Sequence, residues 1–377
     1  MQDLFWPLAL GPWPFFENTM PLTPLELVRP EIRALRAYQV PDANGLVKLD
    51  AMENPYGWPE GLKDEWLEVL RAAELNRYPD PQGRQVQEAL RESMGIPAGM
   101  GLLLGNGSDE LIQMLVLTLA HPGRKVLSLD PGFVMYRMIA LFAGMEYVGV
   151  PLKPDDFSLD LPAVLEALER ELPALTFIAY PNNPTGNLFD AQAIQWIIEA
   201  TPGLVILDEA YAPFTDRSFL PRLGHWPNLL VLRTLSKMGL AGLRLGYLAG
   251  PEEWLAEIDK TRLPYNINCL TQASAAFALR HKAVLDEQTR AIRAERDRLF
   301  DALAKIPGIH AYPSEANFIL LRLPSGAADA CFAGLKARGV LVKNLSGAHP
   351  LLSDCLRVTV GTPEENGIFL SALAAVL

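Results

Sequence analysis

Short apolar runs alternate with longer amphipathic stretches along most of the chain. The runs over residues 102–104, 125–129, 146–150, 175–180, 204–207, 229–232 and 245–249 are bounded by Gly, Pro, Asn or Asp. They lack a regular polar face, which reads as strands buried on both sides of a mostly parallel sheet. The stretches between most of them repeat apolar residues at helical spacing, including 85–94 and 111–119. Ahead of this pattern come an expected helix over 24–37, a short strand near 46–50, a helix over 61–75 and a proline-rich loop from Asn76 to Gly83. Past residue 265 the character changes. A long amphipathic helix over 283–306 is followed by strands at 317–321, 340–343 and 355–360, with a helix over 327–338 among them. A last helix opens at Thr362-Pro363-Glu364-Glu365, where Thr362 caps and Glu365 reaches back. The pattern predicts an α/β protein: a poorly ordered extension at 1–20, an arm or small-domain segment at 21–75, a large domain at 76–270 and an α+β small domain at 271–377.

Composition narrows the function classes. The chain has 377 residues, half of them hydrophobic, which is enough for two cores. A formal net charge of −11 argues against nucleic acid or an anionic membrane as the main partner. Cys269, Cys331 and Cys355 are scattered and support neither a zinc site nor a disulfide framework, so no metal is expected and a cytoplasmic location fits. Residues 1–20 are apolar and aromatic, but no basic segment precedes them and Pro7, Pro12 and Pro14 interrupt them. That excludes a typical signal peptide and leaves Met20 as an alternative start. No run is long and apolar enough to predict a membrane span.

The candidate chemistry falls where the predicted strands end. Ligands of open α/β sheets bind beyond the carboxyl ends of the strands. Asp130-Pro131-Gly132-Phe133, Pro181-Asn182-Asn183-Pro184-Thr185-Gly186, Asp208-Glu209-Ala210-Tyr211 and Ser236-Lys237 follow four of the runs. A fifth, Gly105-Asn106-Gly107-Ser108-Asp109-Glu110, opens a helix whose exposed N–H groups suit an anion, with Ser108 or Asp109 as its cap. Lys237 taken alone reads equally well as a surface lysine. In a turn of small residues with Arg244 after it, it also reads as an amine that condenses with a cofactor aldehyde. Asp208, at the end of a buried strand, needs a partner, and a protonated pyridine nitrogen would be one. Asn183 and Tyr211 can bond a ring phenolate oxygen, and Phe133 can stack on the ring. Ser108, Asp109, Ser236 and Arg244 can hold a phosphate. Each functional group of pyridoxal 5'-phosphate then has a candidate partner.

These stretches, with Glu53-Asn54-Pro55-Tyr56-Gly57, Asn76-Arg77-Tyr78-Pro79-Asp80 and Leu356-Arg357-Val358-Thr359-Val360-Gly361, give a sequence that resembles the fold-type I, class I/II pyridoxal-phosphate aminotransferases. Within them it resembles most closely the histidinol-phosphate branch. The resemblance implies a large domain built on a mostly parallel seven-stranded sheet, a smaller α+β domain drawn from both chain ends, and a homodimer with shared active sites. It implies that Lys237 is the Schiff-base lysine and proton carrier. Asp208 would partner the pyridine nitrogen, Asn183 and Tyr211 the ring oxygen, and Phe133 the ring face. Ser108, Asp109, Ser236 and Arg244 would form the phosphate cup, reached by Tyr78 of a neighbouring subunit. Arg357 would bind a substrate carboxylate, with Tyr38, Asn54 and Lys343 on the substrate side. The implied reaction exchanges the amino group of L-histidinol phosphate with 2-oxoglutarate. An aromatic or broad-specificity aminotransferase, a threonine-phosphate-type decarboxylase and a cofactor-sensing domain without turnover remain as alternatives. Two features depart from the pattern. Arg244 comes seven residues after Lys237 where many relatives have eight, and Lys343 stands where an arginine is frequent, which loses a bidentate fork.

Overall fold

The computed structural model describes residues 22–37 and 40–377. The extension expected to be disordered, and Tyr38, lie outside the described residues. Met1–Pro41 and Asp42–Leu377 separate as two units. In the first, two short helices, α1 (Pro24–Leu27) and α2 (Pro30–Arg33), replace the single helix expected over 24–37. Proline disfavours helical backbone in the residue before it. Arg29 accordingly sits at φ −53°, ψ 140°, and the helix stops and restarts.

The second unit opens with β1 (Val47–Lys48), α3 (Glu60–Arg71) and α4 (Arg84–Met94). The α/β region then runs β2 (Gly101–Asn106), α5 (Gly107–Leu119), β3 (Lys125–Asp130), α6 (Val134–Phe142), β4 (Glu146–Pro151), α7 (Leu161–Glu171), β5 (Leu175–Ala179), α8 (Ala191–Ala200), β6 (Leu204–Asp208), β7 (Leu229–Thr234) and β8 (Leu245–Gly250). After it come α9 (Glu252–Asp259), α10 (Cys269–Arg280) and α11 (Lys282–Leu303). The chain closes with β9 (His310–Ala311), β10 (Phe318–Arg322), α12 (Ala328–Ala337), β11 (Val340–Leu341), β12 (Lys343–Asn344), β13 (Cys355–Thr359) and α13 (Pro363–Ala374).

Strands β2 to β8 form one seven-stranded sheet in the order β2-β8-β7-β6-β5-β3-β4. All pairings are parallel except those of β8, which runs antiparallel to both β2 and β7. The apolar runs bury both faces, as their lack of alternation predicts. Leu204 and Ile206 pack on one side with Leu111, Tyr136 and Leu255. Val205 and Leu207 pack on the other with Leu90, Leu168 and Ile194. Each such side chain contributes about 1.5–3 kcal/mol when fully buried. Because β8 is reversed, its start lies at the same edge as the ends of β2, β3, β5, β6 and β7. That edge gathers the functional loops.

A second, antiparallel layer has the order β12-β13-β10-β9, with its own core around Leu299, Phe318, Leu356 and Phe369. The strand expected over 340–343 is divided between two partners. Residues 340–341 pair in parallel with β1, and residues 343–344 pair with β13. The N-terminal strand is thereby joined to the C-terminal layer. The last helix is capped as its sequence predicts: Thr362 Oγ1 accepts from Glu365 N at 3.2 Å, and Glu365 Oε2 accepts from Thr362 N at 2.8 Å. Among the described residues no helix is long and apolar enough to cross a membrane.

Candidate active site

The loops at the sheet edge enclose one cavity. Met52, Ser108, Asp109, Phe133, Asn183, Asp208, Tyr211, Ser236, Lys237 and Arg244 line it, with Ala179, Ala210 and Thr234 between them. Nine residues named from the sequence are thus brought together.

Asp208 ends β6 and is buried. Its neighbour Glu209 is bound separately, by Arg233 at 2.7 Å and by Phe219 N at 2.6 Å. Tyr136 donates its hydroxyl to Asp208 Oδ2 at 2.6 Å, and Ala210 N donates to Oδ1 at 3.0 Å. Burial pushes the carboxyl up to about 6 in spite of these two donors. Among the described residues no cation forms an ion pair with it. Tyr136 also stacks on Phe177, centroids 4.6 Å apart, and meets the edge of Phe133 at 5.4 Å. One residue therefore holds both the acid and the aromatic wall. Sequence reasoning missed it, although Phe133 and Tyr136 are three apart at the start of α6, the spacing that places two side chains together.

Lys237 sits in a short 3-10 turn, Ser236–Met238, directly after β7. Its Nζ lies 3.4 Å from the Ala51 carbonyl and 5.9 Å from the Tyr211 ring centroid. Burial, and next the Arg357 guanidinium, push the amine down to about 8. An amine so placed is a nucleophile and a base near neutral pH.

A chain of donors crosses the cavity wall. Arg357 Nη1 donates to Asn183 Oδ1 at 2.5 Å, Asn183 Nδ2 donates to Tyr211 Oη at 3.0 Å, and Tyr211 donates to Met52 Sδ at 3.4 Å. Arginine has only donors, so the Asn183 amide has one orientation and the Tyr211 proton points onward to the cavity. Met52, also missed by the sequence, has a left-handed backbone at φ 55°. Its N–H donates to Thr359 Oγ1 and its carbonyl accepts from Asn317 Nδ2, both at 2.9 Å. Those two bonds hold a conformation that a side chain of this size rarely adopts.

At the other end, α5 begins at Gly107, one turn earlier than the pattern suggested, and Asn106 occupies the cap position. Ser108 and Asp109 are not caps. They lie inside the first turn, whose N–H groups lack intrahelical acceptors. Arg244 reaches this turn. Its Nη2 is 3.6 Å from Asp109 Oδ2, and its Nη1 is 3.5 Å from Ser236 Oγ. A Cβ at Gly107, whose φ is 76°, would fall 2.8 Å from Arg244 Nη2, so the guanidinium closes on the bare backbone. The stretch from Lys237 to Arg244 contains two short 3-10 turns, with Gly239 at φ 111° and Arg244 at φ 50°.

Three further sequence candidates lie elsewhere. Asn54 is not part of the cavity lining; its amide donates to Gln288 Oε1 at 2.9 Å. Lys343 stands opposite Arg357 across the β12–β13 pairing. Tyr78 is 79% exposed and stacks on Tyr265 at 4.4 Å. Tyr38 is among the residues not described. No group of His, Cys, Asp and Glu among the described residues could hold a metal ion.

The lining fits pyridoxal phosphate on its own chemistry. An anion cradle of helix N–H groups and Arg244 lies at one end. A buried acid with raised affinity for its proton lies at the other, with an amine of lowered proton affinity beside them. Comparison with known proteins agrees. The family model for aminotransferase class I and II matches residues 44–373. A Nitrosococcus oceani protein named histidinol-phosphate aminotransferase 2 is 58% identical over 92% of this chain and 96% of its own length. The histidinol-phosphate aminotransferase of Chromobacterium violaceum is 54% identical over 94% of this chain and 99% of its own. The crystal structure of the Sinorhizobium meliloti histidinol-phosphate aminotransferase, in complex with pyridoxal-5'-phosphate, superposes with a TM-score of 0.81 at 27% identity. It covers 93% of this chain and 97% of that one.

Proposed function

This chain belongs to the class I and II aminotransferases, and from that membership we propose how its cavity works and on what. Pyridoxal 5'-phosphate is the cofactor. The reaction is exchange of an amino group between L-histidinol phosphate and 2-oxoglutarate, giving imidazole-acetol phosphate and glutamate. The bound cofactor supplies an electron sink for the charge that develops when the substrate Cα loses its proton. Lys237 Nζ, neutral for part of the time near pH 8, takes that proton and returns it. Asp208 holds the ring nitrogen protonated, and Asn183 and Tyr211 orient the ring through its oxygen. Arg244, Ser236 and the first turn of α5 hold the phosphate. The observation that carries the reading is the meeting of Lys237, Asp208 and the Arg244 cradle around one cavity.

Lys343 and Arg357 face each other on adjacent strands. Two cations there suit a substrate phosphate in one half-reaction and a dicarboxylate in the other. This favours a phosphorylated amino alcohol over phenylalanine. Single-turnover spectroscopy of the cofactor-loaded protein tests it. Histidinol phosphate should convert the cofactor's visible band far faster than phenylalanine or threonine phosphate. Indifference to histidinol phosphate, or carbon dioxide release from threonine phosphate, would overturn the substrate assignment.

The reading includes a homodimer. Tyr78 and Tyr265 form an exposed stack, and Leu75 and Leu263 are also exposed, at 73% and 71%. An apolar surface of this kind is suited to cover by a second copy. Light scattering should give twice the chain mass. If Tyr78 reaches the phosphate of the neighbouring subunit, Tyr78→Phe should weaken cofactor binding about 3–10-fold, as for one ordinary hydrogen bond; unchanged affinity would remove Tyr78 from the site. A cytoplasmic location completes the reading and accords with the free thiols of Cys269, Cys331 and Cys355.

A further inference from the structure

We propose that Gln288, on α11, is a positioning residue for Lys237, acting through Asn54 and the backbone of Gly239. The inference rests on the reading of Lys237 as the cofactor-binding amine.

The turn from Lys237 to Arg244 carries the chain on from the reactive amine through two short 3-10 helices. Gly239, in that turn, lies close to other parts of the fold. An added Cβ there would fall 2.9 Å from Asn54 Nδ2, and 3.4 Å from both Gln288 Oε1 and Leu285 Cδ2. The backbone two residues after Lys237 therefore rests on an amide pair and a buried leucine. Both ends of each amide are engaged. Asn54 Nδ2 donates to Gln288 Oε1 at 2.9 Å, and Asn54 Oδ1 accepts from Tyr56 N at 2.9 Å. Gln288 Nε2 donates to the Gly57 carbonyl at 2.8 Å. Each amide uses a donor and an acceptor, so neither can flip without losing bonds.

Leu285 and Gln288 are three apart on α11, so they share one face of the helix. Leu285 anchors that face in the core at 1% exposure. The helix, Gln288, Asn54 and Gly239 form a continuous stack ending at the lysine turn. Asn54 thus serves the amine from behind. A glutamine is suited to this task because one side chain supplies the acceptor for Asn54 and the donor for Gly57. Glutamate keeps the first and loses the second. Methionine keeps the length and loses both.

The test uses the full-length protein stripped of cofactor and then mixed with pyridoxal 5'-phosphate. The rate of capture is followed by the growth of the visible band, and the pH midpoint of that band in the loaded protein reports the environment of Lys237. Gln288→Met should slow capture roughly 5–30-fold, the equivalent of one to two hydrogen bonds, and should move the pH midpoint. Gln288→Glu should lie between it and wild type. Gly239→Ala, whose Cβ would displace Asn54, should shift the midpoint in the same direction without touching Gln288. Melting temperatures identify any variant that is merely unfolded. Capture rate and midpoint both unchanged in a folded Gln288→Met would overturn the proposal, as would a lowered melting temperature with both unchanged. Lys237→Ala run in parallel separates the two levels. If it still forms the visible band, the reading of Lys237 is wrong, whatever Gln288 does.

Discussion

Lys237→Ala should abolish the visible band that the cofactor forms with the protein and lower turnover by at least about 10²–10⁴-fold, the range supplied by a positioned proton-transfer group. The loss should appear in kcat more than in KM, because substrate binding falls to Arg357 and its neighbours. The same lysine gives a second, opposite result in the apoprotein. Its amine is pushed down to about 8 by burial, so at neutral pH a charge is held where it is poorly solvated. A lysine whose folded value lies below its ordinary value of 10.5 lowers stability by a constant amount below pH 8. That penalty fades as pH rises from 8 towards 10.5, since the unfolded chain binds the extra proton in that window. Lys237→Met, neutral and of similar length, should therefore raise the melting temperature of the apoprotein at pH 7, and the difference should close on approach to pH 10.5. A variant that melts lower than wild type at every pH would show that the amine is not desolvated. The residue assigned to the chemistry is thus one that the empty fold would be better without.

Asp208→Asn should invert in the same way, over a different pH range. With cofactor bound as proposed, the carboxylate would face a protonated ring nitrogen, and removing one partner of a buried pair costs about 3–5 kcal/mol. Cofactor affinity or turnover should fall roughly 10²–10⁴-fold at about 1.4 kcal/mol per decade. Without cofactor, the acid is raised from 3.8 to about 6. A raised carboxyl group lowers stability fully above pH 6, and the penalty disappears as pH falls from 6 to about 4. The apo Asn variant should melt above wild type at pH 7 and match it near pH 4. The loaded Asn variant should melt below loaded wild type at pH 7. Tyr136→Phe separates the acid from its support. It removes a hydrogen bond to a charged group, about 1.5–3 kcal/mol, and should weaken the cofactor less than Asp208→Asn does. Equal cofactor affinity in Tyr136→Phe and wild type would mean that the 2.6 Å bond does not serve the loaded site.

The sheet and its reactive edge were legible because the strands are buried on both faces and the unusual residues follow them directly. Val205 and Leu207 on one side, and Leu204 and Ile206 on the other, leave no polar face, and Asp208 is the first residue to break that pattern. Supports drawn from far along the chain were harder to read. Gln288 lies 234 residues from Asn54, and neither shows by local pattern that it faces the other. Met52 reads as an ordinary apolar residue, since nothing in its neighbours predicts a left-handed backbone held by Asn317 and Thr359. Tyr136 was legible in principle from its spacing to Phe133, but a tyrosine in an apolar helix is more often simply core. Ser108 and Asp109 read as caps in the sequence, whereas the helix starts at Gly107, where a glycine is disfavoured by propensity yet leaves room for Arg244.

The pairing of β1 with β11 also bears on the order in which the protein can become competent. On a ribosome the seven strands of the main sheet, residues 101 to 250, emerge well before residue 340, and domains fold as units during synthesis. The wall that carries Ala51 and Met52 cannot settle then. Its strand waits for Val340 and Leu341, and its strained residue waits for Asn317 and Thr359. Until those residues arrive, Lys237 has no carbonyl to rest against and Tyr211 has no sulfur to donate to. A nascent chain can thus own most of its reactive groups early and still lack a closed chamber for them. A chain that stops short of residue 317 therefore lacks the partners that close this wall.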